Sequence, residues 1–472
     1  MLMKLPPVLV GIAACAFASP AAAAPPMEPF SCASVDAVVE TAMTKAHIPG
    51  AAVAIIRNGK ITCLRGYGQS NLEWPSPVSP DTVFQTASST KLYTGALLAR
   101  LVQQGRLGLD EPVSAYIPDA PSAWRGLTIR QLATHTTGLA PQDVDPAIVS
   151  TEDAVRQAFS SPFIAGPGEV SRYGSWDFTI LQHILEQVSG KSFGDLVASE
   201  LFEPLRMTSS RFDQALQVHA ERFADVIPER AEAYAWNGAA NQRNWYLYPP
   251  YAYAAGGAYS SARDLANFLI AIDDQTYLNA ESRRALWTPI RLADGSLGEF
   301  GVGWVAGAYR GQRYGGHSGG PALADVMYFP DSRLGVAVLT NQKALTPVLA
   351  GLIIDQVIAA PPGYFETAGP DNAPEHTARA RRLIEQMQRG AVSAELMAGG
   401  STEQAGELSR WGAGWVALFP PLSGVQLASD EAYDDGRFRR YRFIFGDHLQ
   451  IIGVLTDAEG RIAGLGPEGD GS

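Results

Sequence analysis

Ser88-Ser89-Thr90-Lys91 places a hydroxyl and an amine three residues apart at the start of an apolar helical run. Residues at that spacing share a helix face, so the ammonium can reach the hydroxyl. A serine hydroxyl is a poor nucleophile until a nearby base removes its proton. Lysine serves as that base where burial and neighbours depress its pKa from about 10.4. The N-terminus of the same helix points backbone N–H groups at any oxyanion forming over Ser88. The chemistry this spells is acyl transfer through an acyl-enzyme on Ser88. An exposed helix cap with a solvated lysine has the same spelling. Here the flank Val83-Phe84-Gln85-Thr86-Ala87 predicts a buried helix start, and of the six lysines (4, 45, 60, 91, 191 and 343) only Lys91 has a serine three residues before it.

Two further stretches carry candidate chemistry. Tyr173-Gly174-Ser175 follows Pro167-Gly168 and precedes a helix from Asp177. A loop tyrosine there can aim its phenol into a cleft and shuttle a proton between nucleophile and leaving group; a packed aromatic is the other reading. His317-Ser318-Gly319-Gly320 lies between two strand patterns. Its glycines let a substrate run close to the strand edge, with the Gly320 N–H as a second oxyanion donor. Gly316-His317-Ser318-Gly319-Gly320 also satisfies Gly-x-Ser-x-Gly, the nucleophile elbow of α/β-hydrolases. That elbow needs a helix after it, and a strand-like run follows Pro321 instead.

At these three stretches the sequence resembles the penicillin-recognising serine hydrolases, in particular the class C β-lactamase, DD-peptidase and esterase group. The likeness covers about residues 34 to 360. It extends to Leu127-Thr128-Ile129-Arg130-Gln131-Leu132 leading into His135-Thr136-Thr137-Gly138-Leu139, to Gly256-Gly257 leading into Ser260-Ser261-Ala262-Arg263-Asp264-Leu265, and to Gly301-Val302-Gly303-Trp304. The resemblance implies Ser88 as nucleophile, Lys91 as base, Tyr173 as acid/base partner, and the N–H groups of Ser88 and Gly320 as the oxyanion hole. His317, Ser175 and Ser318 would line the substrate cleft, and Asn341 would contact a substrate carboxylate. Two departures matter. Ser175 stands where the family's second motif usually ends in Asn, and His317 where true β-lactamases often have Lys. A histidine attracts a β-lactam carboxylate less than a fixed cation does. Both changes favour a D-amino-acid peptidase or an esterase over an efficient β-lactamase. A catalytically weak protein that binds peptidoglycan fragments is the alternative from another class.

The elements that would position these groups follow from periodicity. Ser34 to Lys45 reads as a helix, Ala51 to Arg57 and Lys60 to Gly66 as strands joined by the turn Asn58-Gly59. A helix runs from Ser88 to a stop at Gly105, and another from Asp177 to Val188. Residues 110 to 290 read as mainly helical. Strand signals return at Gly301 to Ala306, Arg313 to Gly316, Leu323 to Phe329 and Leu334 to Thr340, then a helix at Leu345 to Ala359. The expected fold class is α/β (α+β): a β-lactamase-like antiparallel sheet flanked by helices, with a helical subdomain, plus a small C-terminal α+β domain. The expected division is a signal peptide at 1–23, the hydrolase domain at 24–360, a proline-rich linker at 361–376, and an α+β domain at 377–472. In that last part a helix at Ala378 to Arg389 precedes strands near Gly424 to Ala428, Arg437 to Phe445 and Leu449 to Leu455, a profile suggesting a cystatin-like or NTF2-like layout.

Of the 472 residues, 46% are apolar and 18% charged, with a formal net charge of −12. That composition is globular, and the acidity disfavours nucleic acid as a partner. The expected partner is a small-molecule or peptide substrate. Lys4, the apolar stretch Val8 to Ala18 and the alanines at 21 to 24 read as an export signal cut after Ala23, giving a periplasmic or secreted protein. A second reading makes Cys15 a lipidated N-terminus. No later run spans a membrane. Cys32 and Cys63 are left as either a disulfide or two buried thiols. The seven histidines show no zinc-ligand spacing, and no glycine-rich loop cradles a phosphate, so neither metal nor cofactor is expected. His135 reads as structural, hydrogen-bonding its loop. Trp236, Trp245, Tyr246, Tyr248, Tyr251 and Tyr253 form either an acyl pocket or packing between subdomains.

Overall fold

The computed structural model describes residues 32–468, apart from positions 142–147, 149, 214–215, 219–220, 245, 321–323, 344, 346, 367–369 and 434–435. Cys15 and the expected cleavage site after Ala23 lie outside the described residues. Strand β1 (Gly50–Arg57) is an apolar run buried along nearly its whole length, as suits a central strand covered on both faces. Asn58 and Gly59 both take positive φ, 50° and 71°, making the two-residue turn expected there. The chain returns as β2 (Lys60–Asn71), and a short β3 (Ser76–Pro77) lines its far edge.

The other strands come from the far end of the hydrolase segment. They are β4 (Val305–Tyr309), β5 (Gln312–Gly319), β6 (Ala324–Phe329) and β7 (Leu334–Thr340). The sheet order is β4-β5-β6-β7-β1-β2-β3, with Ala51 opposite Thr340 and Arg57 opposite Leu334. Both ends of the segment therefore meet in one antiparallel sheet, as their patterns imply. The strand expected from Gly301 begins only at Val305, because the preceding N–H groups bond elsewhere: Val302 donates to Ala285 O and Gly303 to Ala133 O.

Alternate strand residues divide two cores. Ala52, Ala54, Ile56, Val326, Tyr328 and Leu339 pack toward α2 (Thr90–Gln103), α3 (Ser175–Ser189) and α4 (Ala262–Asp273). Val53, Ile55, Met327, Val336 and Val338 face α1 (Ala33–Lys45) and α5 (Leu349–Asp355). The Cys32–Cys63 disulfide, with Cα atoms 5.0 Å apart, ties the start of α1 to β2. Helix α5 is shorter than the expected 345–359. Past its end the buried Arg310 guanidinium donates to the Asp355 and Ile358 carbonyls, and Pro361 and Pro362 carry no N–H to continue the helix.

The C-terminal part holds α6 (Pro374–Gln388), α7 (Thr402–Ala413) and four antiparallel strands in chain order, β8 (Gly424–Tyr433), β9 (Gly436–Phe445), β10 (His448–Asp457) and β11 (Ile462–Glu468). Helix α6 starts on Pro374, a residue suited to a first helical turn, within the stretch expected to be linker. Leu383, Met387, Trp415, Phe443 and Phe445 join the same apolar cluster as Val336, Val338 and Ile353. The outer face of the large sheet and the C-terminal part thus share one core. No described helix is long and apolar enough to cross a membrane.

Candidate active site

Ser88 sits in the single 3-10 turn Ala87–Ser89 that feeds α2. Ala87 just before it has φ 46°, a left-handed conformation costing a non-glycine residue on the order of 1–3 kcal/mol. Neighbouring bonds hold it: Thr90 Oγ1 donates to Ala87 O at 2.7 Å, Ser89 N to Thr86 O at 3.1 Å, and Thr86 Oγ1 to Ala258 O at 2.8 Å. Behind the turn, α2 is buried on every side from Thr90 to Ala99. A helix apolar all round belongs to a core, and the serine therefore rides on a fixed element.

Lys91 is 2% exposed. Its Nζ donates to Tyr173 Oη at 2.7 Å and to the Ala255 carbonyl at 2.7 Å. The Tyr173 hydroxyl donates to Ser88 Oγ at 2.9 Å. The spacing implies direct contact between amine and serine; instead the phenol stands between them, and Lys91 makes no hydrogen bond to Ser88 Oγ among the described contacts. Ala255 is a partner that no sequence signal marks. Tyr248 covers the next residue so closely that a Cβ on Gly256 would lie 2.3 Å from its ring.

The end of β5 closes the opposite wall. A Cβ on Gly319 would lie 1.9 Å from Thr86 O, and Ser89 Oγ donates to His317 O at 3.0 Å. The strand end therefore lies directly on the turn that holds Ser88, and Gly320 follows it as an exposed turn residue. The His317 ring is 6.0 Å from that of Tyr173. Burial, with the Lys91 charge acting in the same direction, pushes this imidazole down to about 3, so it is neutral. Its Nδ1 lies 2.7 Å from Ser318 O, and its buried Nε2 has no partner among the described residues.

Ser318 and Asn341 lie elsewhere. Ser318, opposite Asp325 in the β5–β6 register, alternates away from His317 and lines a cavity of about 200 Å³ shared with Val348 and Leu449. It is thus on the sheet face away from Lys91, and it stands in a strand followed by another strand, which rules out the elbow. Asn341 is 2% exposed and turned into the fold. It accepts from Gly50 N at 2.7 Å and donates to Gln69 O at 3.0 Å, so it is not free for a substrate carboxylate. Ser175 opens α3; its side chain lies outside the described residues. Tyr251 and Tyr253 are core residues, Trp236 stacks on His47, and Trp245 lies outside the described residues. Tyr246 and Tyr248 meet edge to face at 4.8 Å, with Gln85 Nε2 donating to Tyr246 O at 2.7 Å. Among the described residues no group of His, Cys, Asp and Glu is arranged to hold a metal.

The family model for Beta-lactamase matches residues 35–357. Protein flp of Staphylococcus aureus (strain COL) is 31% identical over 190 residues, 38% of this chain and 38% of that protein. The chain therefore spans little more than a third of that relative's length. The octameric penicillin-binding protein homologue from Pyrococcus abyssi superposes with a TM-score of 0.60 at 19% identity, over 91% of this chain and 97% of that one. The D-amino acid amidase from Ochrobactrum anthropi SV3 superposes with a TM-score of 0.55 at 22% identity, over 66% and 91%. At such identities the structural likeness is one of fold.

Proposed function

The chain belongs to the beta-lactamase family, the penicillin-recognising serine hydrolases, and from that premise we propose that Ser88 attacks the carbonyl carbon of an amide or ester and holds the acyl group until water releases it. The observation that carries this reading is the unbroken hydrogen-bonded line from Lys91 Nζ through Tyr173 Oη to Ser88 Oγ. As Oγ bonds to the carbonyl carbon, its proton passes to the Tyr173 oxygen while the phenol's own proton moves on to the uncharged Lys91 amine, both hydrogen bonds of the resting line reversing. The phenol then gives a proton to the departing amine or alcohol. In the second half the same groups take a proton from water and return one to Oγ as the acyl bond breaks. The N–H groups of Ser88 and Gly320 are the donors assigned to the oxyanion.

The substrate class we assign is a D-amino-acid amide or peptide, or a simple ester, ahead of a β-lactam. His317 is neutral and Asn341 is occupied, so neither offers a fixed cation or free amide to a β-lactam carboxylate. The D-amino acid amidase with the same fold is consistent with that choice. The Cys32–Cys63 disulfide supports an oxidising compartment, periplasmic or secreted. A panel of D-amino-acid amides, p-nitrophenyl esters and a chromogenic cephalosporin tests the assignment. Ester and D-amide turnover should exceed cephalosporin turnover and vanish in Ser88→Ala. A cephalosporin turned over best would overturn the substrate class, and no turnover of any member would favour the peptidoglycan-binding alternative.

A further inference from the structure

We propose that His135 and Asp177 form a positioning pair that holds the Tyr173 phenol between Ser88 and Lys91, an inference that rests on the hydrolase reading above. Tyr173 is 44% exposed, so burial alone does not fix a ring that must meet two partners at once. His135 supplies what burial does not. The amide of Arg172, just before the tyrosine, donates to His135 O at 2.8 Å. The imidazole packs against the phenol ring itself, with centroids 4.6 Å apart. Phe178 and Phe300 close the other sides of the imidazole at 5.0 and 4.8 Å.

The imidazole is in turn held in place. Its Nδ1 lies 2.7 Å from Asp177 Oδ2, and Thr137 Oγ1 donates to Asp177 Oδ1 at 2.7 Å. All three side chains are buried, and Asp177 stands in the first turn of α3, where the helix dipole favours a carboxylate. His135 takes φ 53°, a strained conformation of the kind that gathers at functional sites. Burial lowers its pKa below the ordinary histidine value. A neutral imidazole in this place is a hydrogen-bonded wedge behind the phenol. Among the described residues no hydrogen bond joins it to Ser88 or Lys91, and it acts through Tyr173.

A double-mutant cycle tests this, because a residue acting only through Tyr173 has nothing left to act on once the phenol oxygen is gone. The readouts are p-nitrophenyl ester kinetics and the rate of Ser88 labelling by a fluorophosphonate. His135→Ala should lower kcat and labelling by roughly 100-fold, the order expected for a misplaced catalytic group, with KM nearly unchanged. In a Tyr173→Phe background the same change should lower them less than about 2-fold, a coupling of nearly the whole effect. Asp177→Ala should behave like His135→Ala, and Asp177→Asn, which still accepts from Nδ1, should recover most of the lost rate. If His135→Ala does not fold, Thr137→Val carries the same cycle with a smaller loss. Equal losses in both backgrounds, or a change in KM rather than kcat, would overturn the proposal. Ester turnover that survives Ser88→Ala would instead overturn the hydrolase reading on which it rests.

Discussion

His317 and Asp325 sit on neighbouring strands, and burial moves both away from the charge they would carry in water. The imidazole is held neutral. The Asp325 carboxyl is pushed up to about 6 by burial, against the opposing pull of the Ala350 N–H that it accepts at 3.0 Å. An unfolded aspartate titrates near 3.9. The folded state therefore binds the extra proton between about pH 4 and 6, and its stability is highest below that window and falls as pH rises through it. Asp325→Asn keeps an acceptor for Ala350 N and removes the charge. It should raise stability by roughly 2–3 kcal/mol at pH 7.5 and change little at pH 4, as read by thermal melts; an equal gain at both pH values would refute this. In the candidate site, Ser88 and Lys91 are legible in the sequence because one helical turn fixes their relation. That Tyr173 bridges them is not, since loop and helix meet only in three dimensions. Asn341 is misread for the same reason: its partners at Gly50 and Gln69 lie some 270 to 290 residues back along the chain.

At the scale of elements, the site depends on how closely β5 approaches the turn before α2. Gly319→Ala would push a methyl into the Thr86 carbonyl, a backbone atom that cannot rotate away. The strand end and Gly320 would have to withdraw from Ser88. We predict a fall in kcat of at least roughly 100-fold with secondary structure retained by circular dichroism; a wild-type rate would show that the wall tolerates the gap. The strands that build this wall are legible from their apolar runs, and β7 matches its expected bounds, Leu334 to Thr340. Elements whose limits depend on distant partners are not. Helix α5 ends at Asp355, where Arg310 donates to the Asp355 and Ile358 carbonyls, and α7 escapes notice because Gly406 and Gly412 interrupt its pattern. Gly412 is there for packing, as a Cβ would lie 2.7 Å from Met387 O.

For the whole molecule, Asp355 is the joint between the large sheet and the C-terminal part. It takes Arg310 Nε at 2.7 Å, Tyr309 Oη at 2.7 Å and His448 Nδ1 at 2.7 Å, and Arg310 reaches on to Asp447 at 3.1 Å. Arg310 and Asp355 are both buried. Asp355→Ala would leave a buried guanidinium short of its main counter-ion, a change that costs about 3–5 kcal/mol. Hydrogen exchange should show β10 and α5 losing protection first, while Ser88 stays reactive; an even loss across the large sheet would argue against a joint at this point. The composition at 361–376 reads as a linker, yet the shared core makes the part beyond it an extension of the outer layer. Sequence patterns mark the apolar residues of that cluster without saying which layer they cover.

Acylation of Ser88 is read most directly from the mass of the protein after brief exposure to a slowly hydrolysed acylating ester, followed by peptide mapping. One acyl group should appear on the peptide bearing Ser88, form roughly 100-fold or more slowly in Tyr173→Phe, and be absent in Ser88→Ala. An adduct on Ser318, or an unmodified Ser88 in a protein that still turns the ester over, would contradict the account.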